Sequence, residues 1–312
     1  MIVGGLITVL LLLYYFLTWF RFGRDPDAPT VIPLFAPPDD LSPASVAMVM
    51  KGGYDNDQIT PAMISLAVKG YIRIEEGKDD GLLGIFKKTV YTIHEVKKGK
   101  GLPREEQELL DRMFGGGGRT YAIDGSYDPN VQSMATAYRS ALRNQWHAFL
   151  TKGNNLNFWW IPIFMVIICF VVLLVLHGSY WGDNDGLAIA AFIGANVVFF
   201  LIYQYLIRKP SVEKLALRSK LKGFKMYLST AEEKQLQHFN PPAMTPAVFE
   251  QYLPYAIAFG VEEIWGERFQ SMINRSLVDR SYHPVWYNGS ITNFGSFSSH
   301  VNSSFTSSMR SS

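Results

Sequence analysis

Two apolar runs joined by a short acidic link constrain this chain more than any other feature. Phe158–Leu176 reads FWWIPIFMVIICFVVLLVL and carries no charge. At about 1.5 Å per residue it is long enough to cross a hydrocarbon core of roughly 30 Å. Leu187–Ile207 is the second run. Trp159 and Trp160 open the first and Tyr203 and Tyr205 lie near the far end of the second, positions that suit an aromatic belt at the headgroup layer. The link His177–Gly186 has no Lys or Arg, whereas Lys152 precedes the first run and Arg208 and Lys209 follow the second. The positive-inside rule then puts the link outside and both flanks in the cytoplasm. A helical hairpin buried in a soluble core would usually be shorter and carry a polar stripe.

Ile2–Phe20 is a third apolar run, ended by Tyr14, Tyr15 and Trp19 and followed by Arg21 and Arg24. A secretory signal peptide has its positive charge before the apolar stretch and small residues after it. The reversed order here reads as a retained anchor whose start lies outside. Such a start suggests the back portion of a longer protein with an outer domain. Within the spans Asn196 and Gln204 are polar, and with no ionisable residue beside them they read as helix–helix hydrogen bonds rather than an ion path. Cys169 is the only cysteine, which excludes a disulfide within the chain.

The near-zero mean hydropathy averages these runs with charged, polar protein on either side. A net charge of +2 over 312 residues does not by itself point to nucleic acid. The expected fold class is a mainly α membrane protein: three transmembrane helices, a cytoplasmic winged-helix-like α+β domain and a C-terminal helical segment. The expected divisions are 1–20, 21–157, 158–207, 208–280 and a disordered Ser-rich tail at 281–312.

Between the first and second runs, Ile32–Ser42 is a Pro-rich strap. Ser42 and Pro43 are the cap and first residue of a helix that ends at Gly52-Gly53. Thr60 and Pro61 begin a second, with Met63, Ile64, Ala67 and Val68 on one face and Gly70 closing it. Tyr71–Glu75 and Thr89–Val96 alternate as two strands. Helix, helix and hairpin is the order of a winged helix. Base readout needs Arg, Asn, Gln or Lys on the second helix, and only Lys69 and the lead-in Gln58 are available, so nucleic acid is not the expected partner. Pro103–Phe114 is a helix with Glu105, Glu106 and Glu108 near its positive end. Thr120–Ile123 reads as a short strand and Pro129–Thr151 as a long helix.

The stretch after the second run is basic, and Arg208, Lys209, Lys214, Arg218, Lys220 and Lys222 are candidate contacts to anionic lipid headgroups. Leu217–His238 reads as a helix, and Pro246–Phe269 as another interrupted at Pro254. Phe224, Tyr227, Tyr252, Pro254, Tyr255 and Trp265 form a candidate interaction surface. Docking within the chain is the plainer use of the same rings.

Several motifs carry a resemblance. Gly23-Arg24-Asp25-Pro26, Leu41-Ser42-Pro43-Ala44, Leu66–Ile72 (LAVKGYI), Lys222–Leu228 (KGFKMYL) and above all Tyr252–Glu262 (YLPYAIAFGVE) with Trp265 resemble the YciQ-like family of predicted bacterial membrane proteins. The resemblance spans roughly residues 20–270. It implies a membrane protein of unknown function, and an outer β-rich domain that would precede the first span. The family supplies no catalytic residues to carry over.

No catalytic, cofactor-binding or metal-ligating constellation is recognisable: His94-Glu95 lacks the second histidine of a zinc-protease helix, and Gly115–Gly118 lacks the lysine of a phosphate loop. The leading expectation is a non-enzymatic, multi-pass inner-membrane scaffold with membrane lipids and an unidentified protein as partners. A transporter or channel accessory subunit is the first alternative. A membrane-face enzyme using Glu232, Glu233 or Glu262 is the second.

Overall fold

The computed structural model describes residues 2–55, 58–79, 88–124, 126–177, 185–230, 242–275, 279, 282–289, 303 and 307. In chain order its helices are α1 (Ile2–Thr18), α2 (Pro43–Lys51), α3 (Ile59–Val68), α4 (Arg104–Phe114), α5 (Pro129–Thr151), α6 (Trp160–His177), α7 (Asp185–Leu206), α8 (Val212–Ser229), α9 (Pro246–Phe259) and α10 (Glu262–Asn274). Its strands are β1 (Ile72–Asp79), β2 (Lys88–Glu95), β3 (Thr120–Ile123) and β4 (Tyr287–Asn288). Two units result: a smaller one of Met1–Ala28 with Thr151–Leu215, and a larger one of Pro29–Leu150 with Ala216–Ser312.

In the smaller unit α1 packs on α6 and α7. Leu11, Tyr15, Tyr203 and Ile207 form the buried seam. Tyr15 stacks on Tyr203 with ring centroids 4.3 Å apart, and the Thr18 and Tyr203 hydroxyls share a hydrogen bond of 3.0 Å. Leu6, Val9, Leu13, Phe16, Phe164 and Val198 point outward, an apolar exterior suited to lipid.

The expectation of three transmembrane helices is corrected here, and with it the multi-pass inner-membrane topology. Among the described residues, Gly5–Gly23 alone is long and apolar enough to cross a membrane as one helix, with 19 residues and a mean hydropathy of 1.7. α7 is 22 residues long, and within it Ala190–Leu206 counts as a shorter apolar helix. Leu156–Val172 qualifies only if counted together with α5 as one broken span. Most of the link between the two runs, 178–184, lies outside the described residues.

The larger unit holds a four-stranded sheet in the order β3-β2-β1-β4. β1 and β2 pair antiparallel from Ile72↔Glu95 to Asp79↔Lys88. Ile72, Ile74, Tyr91, Ile93 and Ile123 turn inward, while Arg73 and Glu75 face out. The two-stranded wing is therefore corrected: the hairpin is the middle of a wider sheet. β3 extends one side. On the other, β4 runs parallel to β1, with the Ile74 N–H donating to the Trp286 carbonyl at 2.9 Å and the Tyr287 hydroxyl donating to Glu76. Tyr287–Asn288 belongs to the Ser-rich stretch read as disordered. Aromatic residues that dock on a sheet edge explain the difference, and most of that stretch lies outside the described residues.

Capping explains the helix ends. Ser42 Oγ accepts from the Ser45 N–H at 3.2 Å, Pro43 is the first residue of α2, and Gly52 ends it in the left-handed region at φ +75°. α3 begins earlier than the Thr60 cap suggests: Gln58 takes the cap position, and Thr60 is buried inside the helix. Thr245 caps α9 through the Val248 N–H at 3.2 Å. The interruption expected at Pro254 falls at Gly260, whose φ of +66° closes α9. Pro254 stays within the helix and buried, so packing outweighs the one backbone hydrogen bond it removes. α9 packs on α2 and α3.

Gly223 of α8 marks a close approach. A Cβ there would lie 2.0 Å from the Ile32 carbonyl oxygen in the Pro-rich strap. Gly223→Ala is expected to push the strap off the helix and lower stability by about 1–3 kcal/mol, read as a lower melting temperature in micelles. An unchanged melt would mean the strap is not held there.

Candidate functional site

The aromatic residues singled out by sequence do come together, but inside the larger unit. Phe224 and Tyr227 come from α8, Tyr252, Pro254 and Tyr255 from α9, and Trp265 from α10; all but Tyr255 are buried. Phe224 meets Tyr252 at 5.4 Å and Tyr255 at 5.5 Å between ring centroids, and Tyr227 meets Trp265 at 5.6 Å. The Trp265 indole donates to the Phe249 carbonyl at 3.2 Å and the Tyr255 hydroxyl to the Leu41 carbonyl at 2.9 Å. Burial pushes the Tyr227 phenol up to about 12. These rings are core, with their faces used on one another.

The six basic candidates divide. Arg208, Lys209 and Lys214 belong to the smaller unit, and Arg218, Lys220 and Lys222 to the larger. The Arg218 guanidinium donates to the Val49 carbonyl at 3.0 Å, where a cation suits the end of α2. Lys220 lies 3.8 Å from Asp39, and Lys222 is exposed.

Sequence reasoning misses a concentrated polar group in the larger unit. Glu105 and Glu106 in the first turn of α4 are fully buried. Ser42 donates to Glu105 Oε1, Ser45 reaches the same oxygen at 3.3 Å, and the Trp146 indole donates to Ser45 Oγ at 2.9 Å. Ser65 donates to Glu106 Oε1 at 2.8 Å and Lys69 to Oε2 at 2.7 Å. Four elements therefore converge: α2 with its cap, α3 with its end, α4 and α5. Glu105 Oε2 has no hydrogen-bond partner among the described residues. Burial raises the Glu106 carboxyl above its ordinary value, against the pull of Lys69 and Ser65 in the other direction. The phenol of Tyr138, which donates to the Gln58 carbonyl at 2.7 Å, is pushed well up by burial and by Glu105.

The signal was present. Glu105, Leu109 and Met113 are four apart, as are Glu106, Leu110 and Phe114, so both acids extend the apolar face of α4 by one turn. Acids on an apolar stripe at a helix start are buried acids when serines and a lysine lie opposite.

Residues 32–269 match the family described as Predicted membrane protein (DUF2207) C-terminal domain, which is most of the chain. The chain belongs to that family. Its members' description bears out the resemblance read from the motifs: this is a predicted membrane protein of unknown function. No curated protein and no solved structure matches the chain. The DUF2207 C-terminal region takes in the buried acid pair and the aromatic core, while α1 precedes it and β4 follows it. Of the acids named for a membrane-face enzyme, Glu262 is at the start of α10 within this region, with its carboxyl raised by burial. Glu232 and Glu233 lie outside the described residues.

Proposed function

We propose that this chain is a membrane-anchored scaffold whose larger unit binds a protein partner through its outer surface and catalyses no reaction. One observation carries the reading. A cluster of reactive side chains among the described residues, Glu105, Glu106, Ser42, Ser45 and Ser65, lies at no more than 6% exposure, and its hydroxyls and carboxylates bond to one another. A sealed network of this kind fixes helices relative to one another and meets no substrate. Gly5–Gly23 supplies the anchor. Gln58 is buried and Lys69 is bound to Glu106, which speaks against α3 as a nucleic-acid reader.

Photo-crosslinkers at the exposed positions Arg73, Lys98 and Arg139 of the larger unit test this in intact cells. The reading expects one discrete protein adduct at one of these faces, identified by mass spectrometry and recovered again with the purified partner. Adducts to lipid and to bulk protein alone, at every position, would contradict it.

A further inference from the structure

The end of α1 leads into a π-helical turn, Trp19–Gly23, and there the smaller unit holds a cleft of about 610 Å³. That size lies within the range of about 300–1,000 Å³ common to small-molecule sites. Trp19, Gly23, Arg24, Asp25, Tyr205 and Arg208 contribute to its lining. We propose that this cleft binds a phosphodiester monoanion, the headgroup phosphate of an anionic phospholipid.

Its two arginines are placed together by design of the backbone. The Asn155 amide donates to the Phe22 carbonyl at 2.9 Å and to the Ile207 carbonyl at 3.0 Å, so one side chain clamps the segments that carry Arg24 and Arg208. Gly23 permits that approach: a Cβ there would sit 2.9 Å from the Leu206 carbonyl oxygen and 3.2 Å from the Ile207 Cα. Each guanidinium is steadied by its flat face, Arg24 over Phe20 at 5.0 Å and Arg208 over Trp159 at 5.1 Å. Stacking leaves the in-plane N–H donors open, and neither arginine has an ion pair among the described residues. Paired guanidinium forks match phosphate oxygens in a way that lysines do not.

Charge and position choose the ligand. Arg24 and Arg208 against Asp25 leave the lining one unit positive, which suits a diester carrying one charge better than a phosphate monoester carrying two. The cleft sits where the Gly5–Gly23 span ends, beside Trp19 and the exposed Tyr205, at the level where headgroups begin. Free phosphate esters share the chemistry but gain nothing from the neighbouring apolar helix. The cleft would hold its ligand whether or not the larger unit has a partner.

The test is equilibrium binding to the full chain, delipidated in micelles. The ligands are short-chain phosphatidylglycerol, phosphatidylcholine of equal chain length, glycerol phosphate and inorganic phosphate. Saturable binding of phosphatidylglycerol is expected, about tenfold or more tighter than the other three. Arg24→Gln with Arg208→Gln should weaken it by about tenfold or more, as loss of charge-assisted hydrogen bonds requires. Lys98→Gln with Lys100→Gln removes the same charge elsewhere and should change it by less than about twofold. Arg24→Lys with Arg208→Lys keeps charge and removes the fork; a clear loss there supports the proposal even if the glutamine pair fails to fold. Equal losses from the Lys98 and Lys100 changes, or no loss from either arginine pair, would overturn the site. Glycerol phosphate or inorganic phosphate binding as tightly as phosphatidylglycerol would overturn the lipid.

Discussion

Glu106→Ala is expected to lower the unfolding free energy by about 3 kcal/mol. Breaking a buried ion pair by removing one member typically costs about 3–5 kcal/mol, because the survivor is left charged and unpaired. Here the survivor is Lys69, whose side chain is 40% exposed, so its ammonium can turn to water and the loss falls at the lower end. Ser65 also loses its acceptor. Glu106→Gln keeps the shape and an acceptor, and should cost about 1 kcal/mol. The pair of variants also separates charge from packing by pH. Burial raises the Glu106 carboxyl in the folded chain above its ordinary 4.5, so the folded state holds that proton more tightly than the unfolded one. Its contribution is fully present below pH 4.5 and is lost as pH rises through the raised folded value. Melting of the full chain in micelles, followed by circular dichroism from acid to neutral pH, should show wild type losing stability relative to Glu106→Gln as pH rises. A constant gap between the two across that range would mean that Glu106 ionises with its ordinary pKa.

Trp265→Ala should cost about 3–5 kcal/mol, the range for emptying a buried tryptophan site. Its indole is fully buried, donates to the Phe249 carbonyl, and lies against Phe249 and Tyr227 with centroids 6.4 and 5.6 Å away. Arg268 crosses the same rings, 5.4 Å from the centroids of both Tyr227 and Trp265, so the cavity also loosens a cation held over aromatic faces. For a chain of this size the melting temperature should fall by about 10 °C. Trp265→Phe refills most of the volume and should recover more than half of the loss. A partner-binding ring would behave differently: its loss would leave the melt unchanged and weaken only the complex.

Local signals carried much of the larger unit. Ser42 with Pro43 and the strand alternation of Tyr71–Glu75 name elements that the structure contains, because capping and pleating are decided within a few residues. Longer-range consequences were hidden. That Tyr287 would pair beside Ile74 depends on a contact more than two hundred residues away in the chain, which a run of Ser and Asn does not advertise. Pro254 looked like a break because proline usually is one, but Gly260 with its positive φ supplies the stop. Composition alone reads three apolar runs as spans, whereas among the described residues Gly5–Gly23 alone qualifies as one unbroken helix. The acid pair was readable from the i, i+4 face of α4, yet the serines that receive it come from other helices. Gly223 stands in a motif whose meaning appears only when the strap lies against α8.

Alkaline extraction of membranes carrying the full chain tests most directly that this is a membrane protein anchored through an apolar helix. The chain is expected to remain in the sedimented membranes after carbonate treatment and to be released only by detergent. Its recovery in the carbonate supernatant would contradict the account.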